Sequence, residues 1–341
     1  MTAAGHDPFV LGVDGGNSKT DVALLAADGR LLAAVRGGTV SHQQVGLETG
    51  ADRLVALVGA ARAAAGLGPN DAVASQAVYC LAGADSPADT DRLTAAFAAR
   101  PLATRGHILN DAFAPVRAGS DRDWGVAIIC GAGVNAAGIA PDGRTARFAA
   151  LGPISGDWGG GGDVAMAGLG AAVRARDGRG PRTVLEHRVP AHFGLHRPLD
   201  VSNAIEHGRI TEARLRHLSP VVFAAAADGD AVARGIVDRL ADELAVMASA
   251  IVRRLDLVRR DPDVVLAGGV FAAEDAAFEA RIAAGINAVV PRARVARLTG
   301  LPVTGAALLA LDRLASTPDG AGDRAGATAR ARAELGAWRP G

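Results

Sequence analysis

The 341-residue chain is 49% hydrophobic and 21% charged, a composition that folds, and it is long enough for two domains with separate cores. Its 36 Lys plus Arg balance 36 Asp plus Glu for a net charge of +0, which excludes a broad electrostatic attraction to nucleic acid or to anionic membranes. Two cysteines, Cys80 and Cys130, lie inside apolar segments. They form neither a disulfide framework nor a CxxC metal pair, and they read as buried thiols of a reducing compartment. No apolar run approaches the roughly 18–20 residues of a membrane span. The start "MTAAGHDP" has no basic or apolar region of a signal peptide. The expectation is a cytoplasmic protein acting on a small molecule, with no nucleic-acid or membrane partner.

Residues 9–14 read as a buried strand, and residues 21–27 and 31–35 as two more, joined by an Asp28-Gly29 hairpin turn. Helical spacing follows over 47–65, ending near Gly66. Residues 72–81 are strand-like, and 87–99 helix-like with Asp85 or Ser86 as cap. A short strand over 107–109 ends at Asn110-Asp111. This order predicts a mixed sheet with helices on its faces. A second unit then opens with a strand at 125–130, a glycine turn at Gly131 to Asn135, a strand at 136–140 and another hairpin turn at Asp142-Gly143-Arg144. "IICGAGVNAAGIAPDGR" thus echoes "VDGGNSKTDVALLAADGR", a duplicated supersecondary unit that predicts two related α/β lobes facing each other across a cleft. Residues 157–257 are mostly helical. The long stretch 231–255 is a candidate for pairing subunits in a homodimer, against plain core packing. A strand at 264–267 leads to Gly268-Gly269-Val270, followed by helices at 276–289 and 302–315. The Pro-, Gly-, Ala- and Arg-rich residues 317–341 are predicted to be a mobile tail. The domains expected are 1–112 with the helix 302–316, and 113–301.

Phosphate oxygens need backbone N–H groups that no Cβ obstructs, and glycine turns supply them. Three such turns, Gly15-Gly16, Gly131-Ala132-Gly133 and Gly268-Gly269, each follow a buried apolar strand. They form neither a Walker A loop nor a dinucleotide fingerprint, since Gly131-x-Gly133 leads into a strand. Asp111, at a strand end, is either a general base or the cap of a helix beginning "AFAPVRAG". His187, His192 and His196 are broken up by Gly194 and flanking prolines, so one regular helix does not present them to a metal.

The stretches "GVDGGNSKT", "NDAFA", "CGAGVN", "SGDWGGGGD" and "LAGGVF" resemble the phosphate, catalytic, connecting and adenosine motifs of the actin-like ATPase superfamily. Within it they resemble the BadF/BadG/BcrA/BcrD-type ATPases, including N-acetylglucosamine kinase, and most closely the actinobacterial glucosamine kinases. The resemblance covers about residues 9–312 and implies an α/β fold of two ribonuclease-H-like lobes with ATP and Mg²⁺ in the cleft. It implies Asp14 as the metal residue, acting through water, and Gly15, Gly16, Asn17, Ser18, Lys19 and Thr20 along the phosphates. Gly131, Ala132 and Gly133 would cover the phosphates from the other lobe, Gly268, Gly269 and Val270 would pack on adenosine, and Asp111 would be the base.

The same resemblance implies an aminosugar site of Ser41, His42, Asp85, Asn110, Asn135, Ser155, Gly156 and Asp157; separately, the turn "RARDGRGPRT" makes Asp177 either a second carboxylate near the substrate amine or part of a solvated, ion-paired turn. Relatives that phosphorylate the acetylated sugar have a Trp where Leu151 stands and a Glu where Trp158 stands, while Asp157 is kept. A free 2-ammonium is best met by a carboxylate, so the expectation is a glucosamine kinase, a phosphotransferase acting on an alcohol, with N-acetylglucosamine as the alternative substrate. Other readings are an ATP-driven activator of a 2-hydroxyacyl-CoA dehydratase or benzoyl-CoA reductase, which would need cysteines for an iron–sulfur cluster, and a non-catalytic sugar sensor, against which the paired Asp14 and Asp111 speak.

Overall fold

In the computed structural model, residues 9–68, 70–100, 102–318 and 322–340 are described. Strands β1 (Phe9–Gly15), β2 (Lys19–Ala26), β3 (Leu31–Gly38), β4 (Ala74–Leu81) and β5 (Ala103–Asn110) form one sheet in the order β3-β2-β1-β4-β5. Strands β6 (Gly125–Cys130), β7 (Val134–Ile139), β8 (Thr145–Arg147), β9 (Asp263–Ala267) and β10 (Arg294–Arg297) form a second in the order β10-β9-β6-β7-β8. Read from its other edge the second order repeats the first, so the echoed glycine turns belong to one topology used twice. In the first sheet β1, β4 and β5 run parallel and the β1–β2–β3 meander antiparallel. In the second, β6, β9 and β10 run parallel.

Strand β1 is buried at every position but Asp14 because helices cover both faces of its sheet. Its alternation separates two cores. Leu11 and Val13 pack with Leu54, Val58, Leu93 and Phe97. Val10 lies on the opposite face with Cys80, Ala306, Ala307 and Leu311. Helix Pro87–Ala98 starts on Ser86, whose hydroxyl accepts from the Asp89 N–H at 3.1 Å while Asp89 accepts from the Ser86 N–H, a reciprocal cap. Strand β5 is longer than its apolar centre predicts, because its first half is an exposed edge with little hydrophobic pattern. Strands β8 and β10 lack a sequence signal for the same reason.

One unit comprises the described residues within Met1–Gly125, Pro141–Arg144 and Leu298–Gly341, and the other Val126–Ala140 and Thr145–Arg297. The boundary falls after 125 rather than after 112, because helix Phe113–Gly119 packs on helix Pro302–Ala315 and the buried Arg117 Nε donates to Asp312 Oδ2 at 2.8 Å. The expected tail is also corrected. Helix Arg324–Ala337 starts on Asp323, which accepts from the Gly326 N–H, and buries Ala327, Ala331 and Leu335. Leu335 joins the core with Leu311 and Leu314, and Glu334 Oε2 accepts from the Leu31 N–H at 2.6 Å. Leu335→Ala is expected to lower unfolding stability by about 2–4 kcal/mol in urea titration; an unchanged midpoint would mean the helix contributes nothing to this core. Among the described residues, no helix is long and apolar enough to cross a membrane.

Candidate active site

In the first unit the carboxyl ends of the parallel strands β1, β4 and β5 fall at one edge, where open α/β sheets bind ligands. Asp14 pairs in register with Cys80 and Leu81 with Asn110, so Asp14, the 82–85 loop and Asn110-Asp111 emerge together. The Ala82 N–H donates to Gly15 O at 2.7 Å and the Asp111 N–H to Leu81 O at 3.2 Å, stitching the three ends. The Gly15-Gly16 turn closes with the Gly16 N–H donating to Lys19 O at 2.9 Å and leaves Asn17, Ser18 and Lys19 exposed. Thr20 is fully buried, and its hydroxyl accepts from the Val40 N–H at 3.2 Å.

Three carboxylates crowd this edge. Asp21 is neutralised by Arg36, which donates to both its oxygens at 2.6 and 2.7 Å. The Asp14 carboxyl is pushed up to about 8, first by burial and then by the charges of Asp111 and Asp21, against weaker opposition from Lys19 and Arg36. A cation would relieve that repulsion, so the donor set fits a hard divalent ion. Among the described residues no cluster of three His, Cys, Asp or Glu side chains that could hold a metal ion is present. Between about pH 4 and pH 8 the unfolded chain ionises at Asp14 while the fold retains the proton, so stability falls as pH rises through that window. In metal-free buffer Asp14→Asn is therefore expected to melt above the native protein at pH 8.5 and level with it at pH 4, read by thermal scans. A gap independent of pH would contradict this placement of the charges.

The helix after Asp111 begins at Phe113, with Ala112 before it in helical conformation and the Ala114 N–H donating to Asp111 O at 3.3 Å. Asn110 is buried; its Nδ2 donates to Asp85 Oδ1 at 2.9 Å, and its Oδ1 accepts from the Ala112 N–H at 3.1 Å. Gln43, which no sequence signal singled out, donates to Asp85 Oδ2 at 3.0 Å. Beside this chain the Ser41 hydroxyl and His42 Nδ1 are buried without a partner, and His42 Nε2 lies 3.7 Å from Asp89 Oδ1. Buried polar atoms left unpaired are rare enough to point to a ligand.

In the second unit, the turn at Gly131 to Gly133 docks on the start of helix Gly160–Arg176. The Gly161 N–H donates to Gly131 O at 2.8 Å and the Gly162 N–H to Ala132 O at 3.0 Å. Gly160 has φ +79°, and a Cβ there would lie 2.5 Å from Gly133 Cα. Gly268, at φ +109°, backs onto the Cys130 carbonyl in the same manner. In front of these contacts is a cavity of about 710 Å³ to which Gly131, Ala132, Gly269 and Val270 contribute. Four expected nucleotide residues thus meet at one cavity, while Gly133 and Gly268 support it from behind. Its further wall, from His192, Arg216, His217, Ser219 and Pro220, lies outside the expected site residues.

Ser155 Oγ donates to Asp157 Oδ2 at 2.5 Å, and the Asp157 N–H donates to Gly152 O at 3.1 Å across the left-handed Gly156. Leu151 and Ile154 are exposed beside them, at 53% and 86%. The Trp158 ring lies 3.8 Å beneath the Arg239 guanidinium. Asn135 is partly buried, and its Oδ1 accepts from the Ala136 N–H at 2.8 Å. Asp177 sits on a solvated turn, gripped at both oxygens by Arg179, which holds its carboxyl below the usual range. The ion-pair reading therefore describes it better than a substrate carboxylate.

Two sheets of one strand order, with acidic or glycine turns at their carboxyl ends, define the actin-like ATPase fold. The chain belongs to the BadF/BadG/BcrA/BcrD ATPase family, whose sequence model matches residues 11–310. It is similar to the N-acetylmuramic acid/N-acetylglucosamine kinase of Clostridium acetobutylicum, 29% identical over 265 residues, covering 77% of this chain and 85% of the relative. It is also similar to the N-acetyl-D-glucosamine kinase of Dictyostelium discoideum, 28% identical over 60% of this chain and 65% of the relative. Among solved structures, one from Chromobacterium violaceum named for N-acetylglucosamine kinase superposes with a TM-score of 0.67 at 25% identity, covering 89% of this chain and 98% of the other. A ROK glucokinase from Streptomyces griseus shares the fold, with a TM-score of 0.51 at 17% identity and 89% and 99% coverage.

Proposed function

We propose that the chain is an aminosugar kinase that transfers the γ-phosphoryl group of ATP to the 6-hydroxyl of its substrate. The observation that carries this reading is the placing of Asp14 at the carboxyl end of β1 and Asp111 just past that of β5, on either side of β4, where the Asp111 charge helps hold a proton on Asp14. Asp111 accepts the proton of the 6-hydroxyl as its oxygen attacks phosphorus and ADP leaves. Asp14 would hold a Mg²⁺ ion through water, and that ion would supply charge neutralisation for the phosphates. In the first unit the Gly15–Lys19 turn has exposed polar groups suited to phosphates, and in the second the cavity lined by Gly131, Ala132, Gly269 and Val270 is suited to a nucleoside. Ser41 Oγ and His42 Nδ1 are the unpaired atoms available to sugar hydroxyls, oriented beside the Gln43–Asp85–Asn110 chain.

Glucosamine is the first reading of the substrate, because the Asp157 carboxylate can meet a 2-ammonium. N-acetylglucosamine is the second, favoured by the names of the relatives and by the exposed Leu151 and Ile154, which offer apolar surface to an acetyl methyl. The electron-transfer alternative is disfavoured by its thiols. Cys80 and Cys130 are both fully buried, and burial pushes the Cys130 thiol up to about 12 and raises that of Cys80 too. The test is coupled ADP release with glucosamine, N-acetylglucosamine, glucose and mannosamine, with the product position read by NMR. Sugar-dependent turnover with one of the two glucosamine sugars preferred is expected. No sugar-dependent turnover would overturn the proposal, and an equal or better rate with the acetylated sugar would overturn the glucosamine reading.

A further inference from the structure

The further wall of the second unit's cavity carries one fixed cation, Arg216, and no carboxylate. It comes from His192, at the end of helix Leu185–His192, from Arg216 and His217 in the turn Arg216–Leu218, and from Ser219. Arg216 and His217 are exposed, and neither side chain makes a hydrogen bond or ion pair among the described residues. No Asp, Glu, Asn or Gln lines the cavity; its remaining lining is glycine, alanine, valine and proline.

That inventory bears on the choice of phosphate donor. Adenine presents an amine at the 6-position and guanine a carbonyl oxygen. A site built to hydrogen-bond one group rejects its analogue by about 10⁴–10⁵, whereas a site without such a group rejects it far less. No side chain here is an acceptor only. His192, His217 and Ser219 can each donate or accept, according to tautomer or rotation, and Arg216 only donates. Arg216 therefore attracts phosphate charge, while the imidazoles and the hydroxyl adapt to either purine edge. Resting on the reading that this cavity takes the nucleotide, we infer that the protein does not discriminate at the purine 6-position and uses guanosine and inosine triphosphates as donors alongside ATP.

The experiment compares ADP and GDP affinities of the full chain by calorimetry with Mg²⁺ present, then kcat/KM for ATP, GTP and ITP with saturating aminosugar. The guanosine and inosine nucleotides are expected within about tenfold of the adenosine ones. A hundredfold or greater preference for adenosine would overturn the inference. Arg216→Gln is expected to weaken ADP and GDP by the same factor, about tenfold; a loss confined to GDP would also overturn it, since Arg216 would then read the ring. If neither diphosphate binds, the nucleotide reading of the cavity fails and the inference with it. If both bind alike but no sugar is phosphorylated, the aminosugar-kinase reading fails and the inference stands.

Discussion

Asp111→Asn is expected to lower sugar-dependent ADP release by about a thousandfold, within the range a general base contributes, while ADP affinity stays within about threefold of native. The substitution preserves size, and the Asp111 backbone N–H still donates to Leu81 O. Asn at this position keeps any capping capacity that Asp has. The fold is thus expected to survive and the chemistry to fail. A second readout separates loss of a base from loss of structure. Asp111 is the second-largest cause of the raised Asp14 carboxyl, after burial. Removing its charge lets Asp14 ionise more readily, so the variant is expected to lose less stability than the native protein between pH 4 and pH 8 in metal-free buffer. Residual turnover above a tenth of native would place the base elsewhere.

The features legible in the sequence are those whose cause is local. Strand β1 is recognisable because an apolar run must be buried, and the glycine turns after β1, β6 and β9 because a backbone that turns sharply after a buried strand needs them. The duplication is visible because both halves carry the same turn chemistry. What was not legible depends on distant partners. Gln43 gains its meaning from Asp85, and the glycines at 160–162 from the Gly131–Gly133 turn. Helix Arg324–Ala337 was missed because its buried face is Ala327, Ala331 and Leu335. The small side chains give little contrast with the polar face, although Ala and Arg favour helix throughout. The cavity wall at His192, Arg216 and His217 is assembled from separate helices and turns, so no spacing announces it.

Gly160→Ala is expected to weaken nucleotide binding by tenfold or more. A Cβ at φ +79° costs about 1–2 kcal/mol for the left-handed backbone alone. It would also stand 2.5–2.6 Å from the Cα, carbonyl carbon and oxygen of Gly133, all backbone, so no rotamer change relieves the overlap. The turn must retreat, and with it go the hydrogen bonds from the Gly161 and Gly162 N–H groups to Gly131 and Ala132. Gly131, Ala132 and Gly161 all line the cavity, so its shape changes where the nucleotide is proposed to sit. Gly170 on the same helix is the control. A Cβ there meets nothing within 4 Å, and Gly170→Ala is expected to leave nucleotide affinity unchanged and to stabilise the helix by up to about 1 kcal/mol. Calorimetric titration with ADP and a thermal melt on both variants distinguish the two positions. Native affinity in Gly160→Ala would mean that the contact between this turn and the helix start does not shape the nucleotide site.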